Sequence, residues 1–338
     1  MTRVGIVGLG FMGKMHLRCY SDLEDVQVVA ICDIDKSKFE GTGAAGGNIE
    51  GAEAPLDLSG IGKYRELDAM LAESNLDALS VTLPTYLHTG ATVAALEAGV
   101  NVLCEKPMAL TLPECEQMIS AAGRSGKLLQ VGHCIRFWPE YAVTNELIES
   151  GQYGKVLAAT FQRLSLTPGW SWQGWLLDAD KSGGAAVDLH IHDADYVHYI
   201  FGMPRAVFSR ATSTSPGGCD HIVTQYVYEN DCVVTAEGGW IMSPTFGFEM
   251  SFNIVLEKAT ITFDLTRDPA FKVCPMEGKA FTPDVPAGDG YSREIEHFVR
   301  AVRGESVPDV ITPSQSAESL RLVLAERESS GAGQVLQL

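Results

Sequence analysis

Residues 4–13 read VGIVGLGFMG, an apolar run that breaks into three glycines spaced G-x-G-x-x-G. Residues 3–7 (RVGIV) have the makeup of a strand buried on both faces, and residues 12–21 that of a helix. Where a strand turns straight into a helix, each glycine has its own task. Gly8 permits the tight turn, Gly10 lets the backbone approach a pyrophosphate, and Gly13 lets the helix pack close to the sheet. The helix start adds N–H groups without a helical acceptor and the positive end of the dipole. The turn, with Phe11 and Met12 inside it, is therefore expected to hold the phosphates of a dinucleotide. An acid belongs at the end of the next strand, and Asp33 stands there, twenty residues beyond Gly13, after VQVVAIC. Its carboxylate would accept hydrogen bonds from the ribose hydroxyls and repel the extra phosphate of NADP. NAD is thus the expected cofactor. Asp35 is the fallback acid, and Lys36 and Lys38 leave some use of NADP open.

The alternation continues. Strands are expected at 26–32, 77–83, 100–104 and 127–132, and helices at 64–74, 88–98 and 111–125. Thr111 followed by Glu114 is a capping-box pattern at the start of the last helix. Strands separated by helices of this length predict a parallel, doubly wound sheet. The glycine-rich stretch 39–62 interrupts the pattern. It reads as a long surface loop, either flanking the adenine end of the cofactor or an insertion without a role. After residue 133 the texture changes. Residues 155–166, 205–214, 221–229, 232–240 and 247–256 read as strands, with Asn230-Asp231 suited to a hairpin turn. Helices are expected at 185–201, 291–303 and 313–328. The fold class is α/β: an N-terminal Rossmann dinucleotide-binding domain, residues 1–132, plus a C-terminal α+β domain, residues 133–338, with a large, mostly antiparallel open sheet.

Composition narrows the partners. The chain carries a net charge of −18 and no basic run, so it lacks the clustered Lys and Arg that a nucleic-acid groove needs. No apolar stretch approaches a membrane span, and the first residues do not resemble a signal peptide. Its eight cysteines form no C-x-x-C pair and are expected to be free thiols, which suits a cytoplasmic protein. Cys104 reads as a small buried residue.

Three further segments carry a resemblance: 81–88 (VTLPTYLH), 104–107 (CEKP) and 183–195 (GGAAVDLHIHDAD). With the glycine turn, their order and spacing resemble the glucose–fructose oxidoreductase / inositol dehydrogenase / rhizopine-catabolism (Gfo/Idh/MocA) family, over essentially the whole chain. The resemblance implies that Lys106 of E-K-P, with Glu105 beside it, contacts the nicotinamide ribose and the substrate oxygen. It implies that Thr82, Leu83, Pro84 and His88 lie near the cofactor, although His88 could instead simply start a helix. It maps the acid–base histidine to His192, its partner carboxylate to Asp188, and a third substrate-orienting position to Asp195. Arg136 resembles the family's arginine near the nicotinamide, and could equally be a structural ion-pair residue.

Helical geometry agrees with part of this mapping. Asp188, His192, Asp195 and Tyr199 fall at i, i+4, i+7 and i+11 and share a face, while His190 points elsewhere. That divergence, and the lack of a cysteine cluster, argue against a zinc site in D-x-H-x-H; no metal is expected. Trp175, the tryptophan nearest this helix in sequence, is the first choice for stacking on a sugar ring. The expected reaction is reversible oxidation of a secondary alcohol on a sugar, inositol or sugar derivative, with Lys106, Asp188 and His192 as the catalytic set. Two alternatives stand beside it: a redox-neutral, NAD-dependent glycoside-cleaving enzyme, and a non-catalytic sugar or NAD sensor. A homodimer or homotetramer is expected, packed through the open face of the second sheet.

Overall fold

The computed structural model describes residues 1–41, 55–214 and 218–338. Most of the glycine-rich stretch 39–62 lies outside the described residues. The chain divides into two compact units. The first comprises Met1–Cys134, Trp170–Trp175 and Asp289–Ala317; the second comprises Ile135–Gly169, Leu176–Gly288 and Glu318–Leu338.

In the first unit, β1 (Thr2–Val7), α1 (Phe11–Ser21), β2 (Val26–Cys32), β3 (Gly62–Tyr64), α2 (Leu67–Glu73), β4 (Ala78–Val81), α3 (His88–Glu97), β5 (Asn101–Glu105), α4 (Leu112–Ser125) and β6 (Leu129–Gly132) follow in order. The six strands form one sheet in the order β3-β2-β1-β4-β5-β6, and every pairing is parallel. Strand order reverses between β1 and β4, where open α/β sheets bind ligands beyond the carboxyl ends of the strands. The strands are apolar runs because helices cover both faces; β4 and β6 are buried at every residue. The helix expected from residue 64 starts only at Leu67, because Gly62–Tyr64 is claimed by pairing with Ala30–Cys32 of β2. The capping box forms as read: Glu114 accepts from the Thr111 N–H at 2.9 Å.

The second unit holds α5 (Pro139–Glu149), β7 (Val156–Leu166), the short α6 (Ala179–Ser182), a π-helical turn Ala186–His190 that runs into α7 (Ile191–Phe201), then β8 (Ala206–Thr212), β9 (His221–Val227), β10 (Val233–Met242), β11 (Phe248–Leu256), β12 (Ala259–Asp264), β13 (Phe271–Pro275) and β14 (Leu336–Gln337). Between the last two strands come α8 (Gly290–Val302) and α9 (Pro313–Ala332). The sheet has eight strands in the order β13-β12-β11-β7-β10-β9-β8-β14. Its pairings are antiparallel except that β10 runs parallel to β7. Along β9 and β12 buried residues alternate with more exposed ones, as expected when only one face is covered. Behind that face, Tyr141, Phe161, Tyr196, Phe252 and Phe263 pack edge-on, tilted or stacked, with ring centroids 4.8–6.2 Å apart.

The helix α8 belongs to the first unit despite its place late in the chain. Asp289 caps it by accepting the Ser292 N–H at 2.8 Å. Ile295, Phe298 and Val299, at i, i+3 and i+4, bury against Leu17, Cys19 and Tyr20 in the same core that holds Val4 and Ile6 of β1.

Candidate active site

The glycine turn sits at the carboxyl end of β1, and its three glycines differ in what surrounds them. Gly8 has φ +91°, and a side chain there would meet the Thr82 carbonyl oxygen at 2.7 Å. A Cβ on Gly13 would collide with the Gly8 carbonyl oxygen. Gly10 has nothing within 4 Å of where its Cβ would lie, so the space beside it is open. The α1 N-terminus has no side-chain cap, which leaves its N–H groups for an anion. Asp33 stands next to the turn: its carboxylate accepts the Leu9 N–H at 2.7 Å and the Asp35 N–H at 2.8 Å. A carboxylate has about four acceptor positions, so two remain for ribose hydroxyls. Open space at Gly10, an uncapped helix start and a placed carboxylate fit a dinucleotide. Phe11 and Met12 are half-buried and pack against the core below the turn.

The loops after β4 and β5 reach the same edge of the sheet. Thr82 does not turn its hydroxyl outward. It donates to the Gly8 carbonyl at 2.6 Å and lies 3.0 Å from that of Val7, so it braces the glycine turn from behind. Leu83 and Pro84 are half-buried. His88 both starts α3 and lies between the two loops: its Nε2 is 2.8 Å from the Leu83 carbonyl and its Nδ1 2.9 Å from that of Pro107, and the neutral ring donates its one N–H to one of them. Glu105 is buried, accepting from His16 Nε2 at 2.9 Å and from the Lys106 N–H at 3.1 Å. Lys106 itself is half-exposed. Thr82, His88 and Glu105 thus act on the shape of the loops. Cys104 is fully buried, and burial pushes its thiol pKa up, which leaves it a poor nucleophile.

Burial also holds the His88 pKa below the usual histidine range, although the two carbonyls and Glu105 pull the other way. The folded protein therefore binds this proton less readily than the unfolded chain. His88 contributes stability that is present above the ordinary histidine pKa and is lost as pH falls through the folded one. Between about pH 7.5 and pH 5, wild type should lose more stability than a His88→Gln variant. Urea melts at both pH values check this, and parallel slopes would count against it.

In the second unit, the segment 186–201 carries the expected acid–base residues on a π-turn followed by α7. Asp188 and His192 are both half-exposed. Their charged neighbours are buried instead. Asp195 faces Arg136 in a two-pronged ion pair, Nε to Oδ2 at 2.9 Å and Nη2 to Oδ1 at 2.8 Å, and both side chains are fully buried. Ser319 donates to the same carboxylate at 2.7 Å, and the Arg136 guanidinium lies 4.5 Å from the centre of the Tyr199 ring. The two residues expected on the substrate thus engage each other, and neither side chain reaches the surface. Asp193 pairs with Arg163 of β7 at 2.7 and 3.2 Å. His190 points away from the Asp188–His192 side, to Glu326 of α9 at 2.8 Å. Burial disfavours its charge, but the Glu326 carboxylate outweighs that and raises its pKa. Gly238 makes the room for it: a Cβ there would lie 2.6 Å from His190 Cβ. Trp175 is half-buried on the turn Trp172–Leu177, and it closes the segment Trp170–Trp175 that belongs to the first unit.

Sequence reasoning missed Arg163, Glu326 and His16. Each lies far along the chain from its partner, and nothing in the local pattern marks it. The π-turn was also missed, although turns of this kind gather at functional sites.

The first unit has the strand order, the glycine turn and the acid of a Rossmann dinucleotide-binding protein. Residues 2–133 match the family model described as "Oxidoreductase family, NAD-binding Rossmann fold", and residues 141–262 match "GFO/IDH/MocA C-terminal domain". The chain belongs to the GFO/IDH/MocA family and is an NAD-binding oxidoreductase. Among similar proteins, 2,7-anhydro-N-acetylneuraminate hydratase of Mediterraneibacter gnavus is 31% identical over 61% of this chain; the match spans 52% of that protein's own length. The 1,5-anhydro-D-fructose reductase of Ensifer adhaerens is 27% identical over 83% of this chain and 85% of that one. The fold is that of the WlbA dehydrogenase from Bordetella pertussis, solved in complex with NADH and UDP-GlcNAcA, at a TM-score of 0.82 and 21% identity over 100% of this chain and 97% of that one. Among the described residues, no helix is long and apolar enough to cross a membrane.

Proposed function

We propose that this oxidoreductase transfers a hydride between NAD and a secondary alcohol carbon of a sugar, inositol or sugar derivative. One observation carries the assignment of roles. Along the segment 188–195, Asp193, Asp195 and His190 are taken up by buried partners, while Asp188 and His192 keep part of their surface exposed. NAD, when bound, supplies the nicotinamide carbon that accepts the hydride from the carbinol carbon. His192 takes the hydroxyl proton as general base as the C–H bond breaks and the carbonyl forms. Asp188 orients the ring and stabilises the imidazolium. Lys106 donates a hydrogen bond to the oxygen while negative charge develops on it. Arg136 and Asp195 act one step back: their buried pair fixes α7, and with it His192. On this reading the first domain binds NAD and the second binds substrate.

A screen of inositols, aldoses, sugar acids and anhydrosugars, run with NAD and NADP in parallel, tests this reading. Reduction of NAD by at least one sugar or cyclitol is expected, with a preference over NADP of at least about tenfold, roughly 1.4 kcal/mol. Equal efficiency with both cofactors would count against the ribose role of Asp33. A second reading, redox-neutral chemistry with NAD retained, is favoured by the relative named a hydratase, an activity without net oxidation. Its mark is conversion of an anhydrosugar without accumulation of NADH.

The assembly we propose is a dimer or tetramer packed through the outward face of the second sheet. Val223, Val233 and Val255, from three strands of that sheet, are all exposed. Light scattering at micromolar concentration should give a multiple of the chain mass, and a monomer mass would sink the idea.

A further inference from the structure

Behind the E-K-P loop lies a polar chain in the core of the first unit. Tyr20 and His16 of α1, Ser80 of β4 and Glu105 at the end of β5 are all buried, the first three completely. The contacts run in sequence: Tyr20 OH to Ser80 Oγ at 2.8 Å, Ser80 Oγ to His16 Nδ1 at 3.0 Å, and His16 Nε2 to Glu105 Oε1 at 2.9 Å. The order of donors follows from the two ends. A carboxylate only accepts, so the ring carries its proton on Nε2. Nδ1 then accepts from the Ser80 hydroxyl, whose oxygen accepts from Tyr20. Every link is made in one direction by a neutral imidazole. Burial raises the Tyr20 pKa, which keeps the phenol a donor. Burial opposes ionisation of Glu105, but the hydrogen bond from His16 and the charge of Lys106 hold it below the usual carboxylate range.

Ser, His and a carboxylate in a row invite a hydrolase reading. Ser80 lies in the middle of a fully buried strand, so no substrate carbonyl reaches it. The chain ends somewhere more telling. The second oxygen of Glu105 accepts the backbone N–H of Lys106 at 3.1 Å. The neighbouring strand leaves room for this. Gly132 of β6 pairs with Glu105, and a Cβ there would press on its Cα and carboxylate at 3.3 Å.

We propose that His16 is a positioning residue: through Glu105 it anchors the backbone of Lys106 and so sets where the lysine ammonium stands. The catalytic consequence rests on the role given to Lys106 under the proposed function; the anchoring does not. A buried polar chain that is fully satisfied rigidifies what it holds, and a displacement of about 1 Å at a reacting group can cost about 10²-fold in rate.

The test uses the full-length protein and pairs two substitutions. His16→Leu removes the donor to Glu105, and His16→Gln keeps an N–H on a chain of similar reach. In the NAD-free protein, His16→Leu should speed amide exchange at Lys106, His16→Gln should restore protection, and ring ¹⁵N shifts of wild type should place the His16 proton on Nε2. In turnover, His16→Leu should lower kcat by about 10- to 100-fold, with a smaller change in NADH affinity, and His16→Gln should recover most of the loss. Ser80→Ala, which removes the next link, should act in the same direction more weakly and stands in if His16→Leu does not fold. A folded His16→Leu or Ser80→Ala variant with wild-type exchange at Lys106 overturns the inference, as does a glutamine variant no better than the leucine one. Lys106→Ala, run alongside, separates the two failures. If it is as active as wild type, the proposed function is at fault and the exchange data alone decide the anchoring. If it is inactive while His16→Leu is fully active, the inference fails.

Discussion

His192→Ala is expected to lower turnover by about 10²–10⁴-fold, the range typical of losing a general base. NADH affinity should hardly change, because the glycine turn and Asp33 lie in the first unit and His192 in the second. Loss confined to kcat, with binding intact, marks an interaction made only in the transition state. Stopped-flow measurement of NADH formation and NADH titration by fluorescence supply the two numbers. An active His192→Ala variant would remove the proposed mechanism whatever the substrate proves to be. His190→Ala should behave differently. That ring is buried and hydrogen-bonded to Glu326 at 2.8 Å, so its removal leaves a buried carboxylate without its partner and costs stability before chemistry.

The second large effect concerns Arg136. Its guanidinium meets Asp195 with both side chains fully buried. Removing one partner of such a pair leaves the other charged and desolvated, at a cost of about 3–5 kcal/mol. Arg136→Leu should therefore shift the urea transition strongly to lower concentration. Arg136→Leu combined with Asp195→Leu should recover much of that loss, since no buried charge is left uncompensated. Two single losses that simply add would show that the residues do not depend on each other. If α7 is held by this pair, even variants that fold should turn over more slowly, through a looser His192.

The two units were unequally legible in the sequence. In the first, the features that fold the chain are local. Apolar runs mark β1 and β2, Thr111 and Glu114 announce α4, and the glycines at 8, 10 and 13 announce the turn. Among its described strands, only the three residues of β3 escaped, being too short to carry a period. In the second, β7 to β11 were readable by alternation, and so was the turn between β9 and β10, where the Cys232 N–H bonds to Asn230 at 3.2 Å. The strand β12 was missed although Ala259, Ile261 and Phe263 alternate cleanly; that signal was present and passed over. The roles of Arg136 and Asp195 were a different matter. Charged residues are ordinarily solvent-facing, and no single segment shows that Arg163, Arg136 and Glu326 each wait for a partner on the segment 190–195. Likewise, the family resemblance pointed to His88 and Glu105, but that their side chains hold the loops in shape depends on contacts made only in the folded chain.

The late helix α8 has a consequence for how this protein comes off the ribosome. Its Ile295, Phe298 and Val299 complete the apolar core around Tyr20 and Ile6. Translation proceeds at about 5–20 residues per second, so the nucleotide-binding half waits on the order of ten seconds after Cys134 has been made before its last core residues emerge. Until then the face of α1 that α8 will cover stays open to solvent and to chaperones. A gene cut after residue 134 would encode a sheet with an exposed apolar flank. The N-terminal half of this sequence is therefore not a transplantable cassette. A functional nucleotide-binding module would have to carry residues 289–317 with it, by circular permutation or as a second chain.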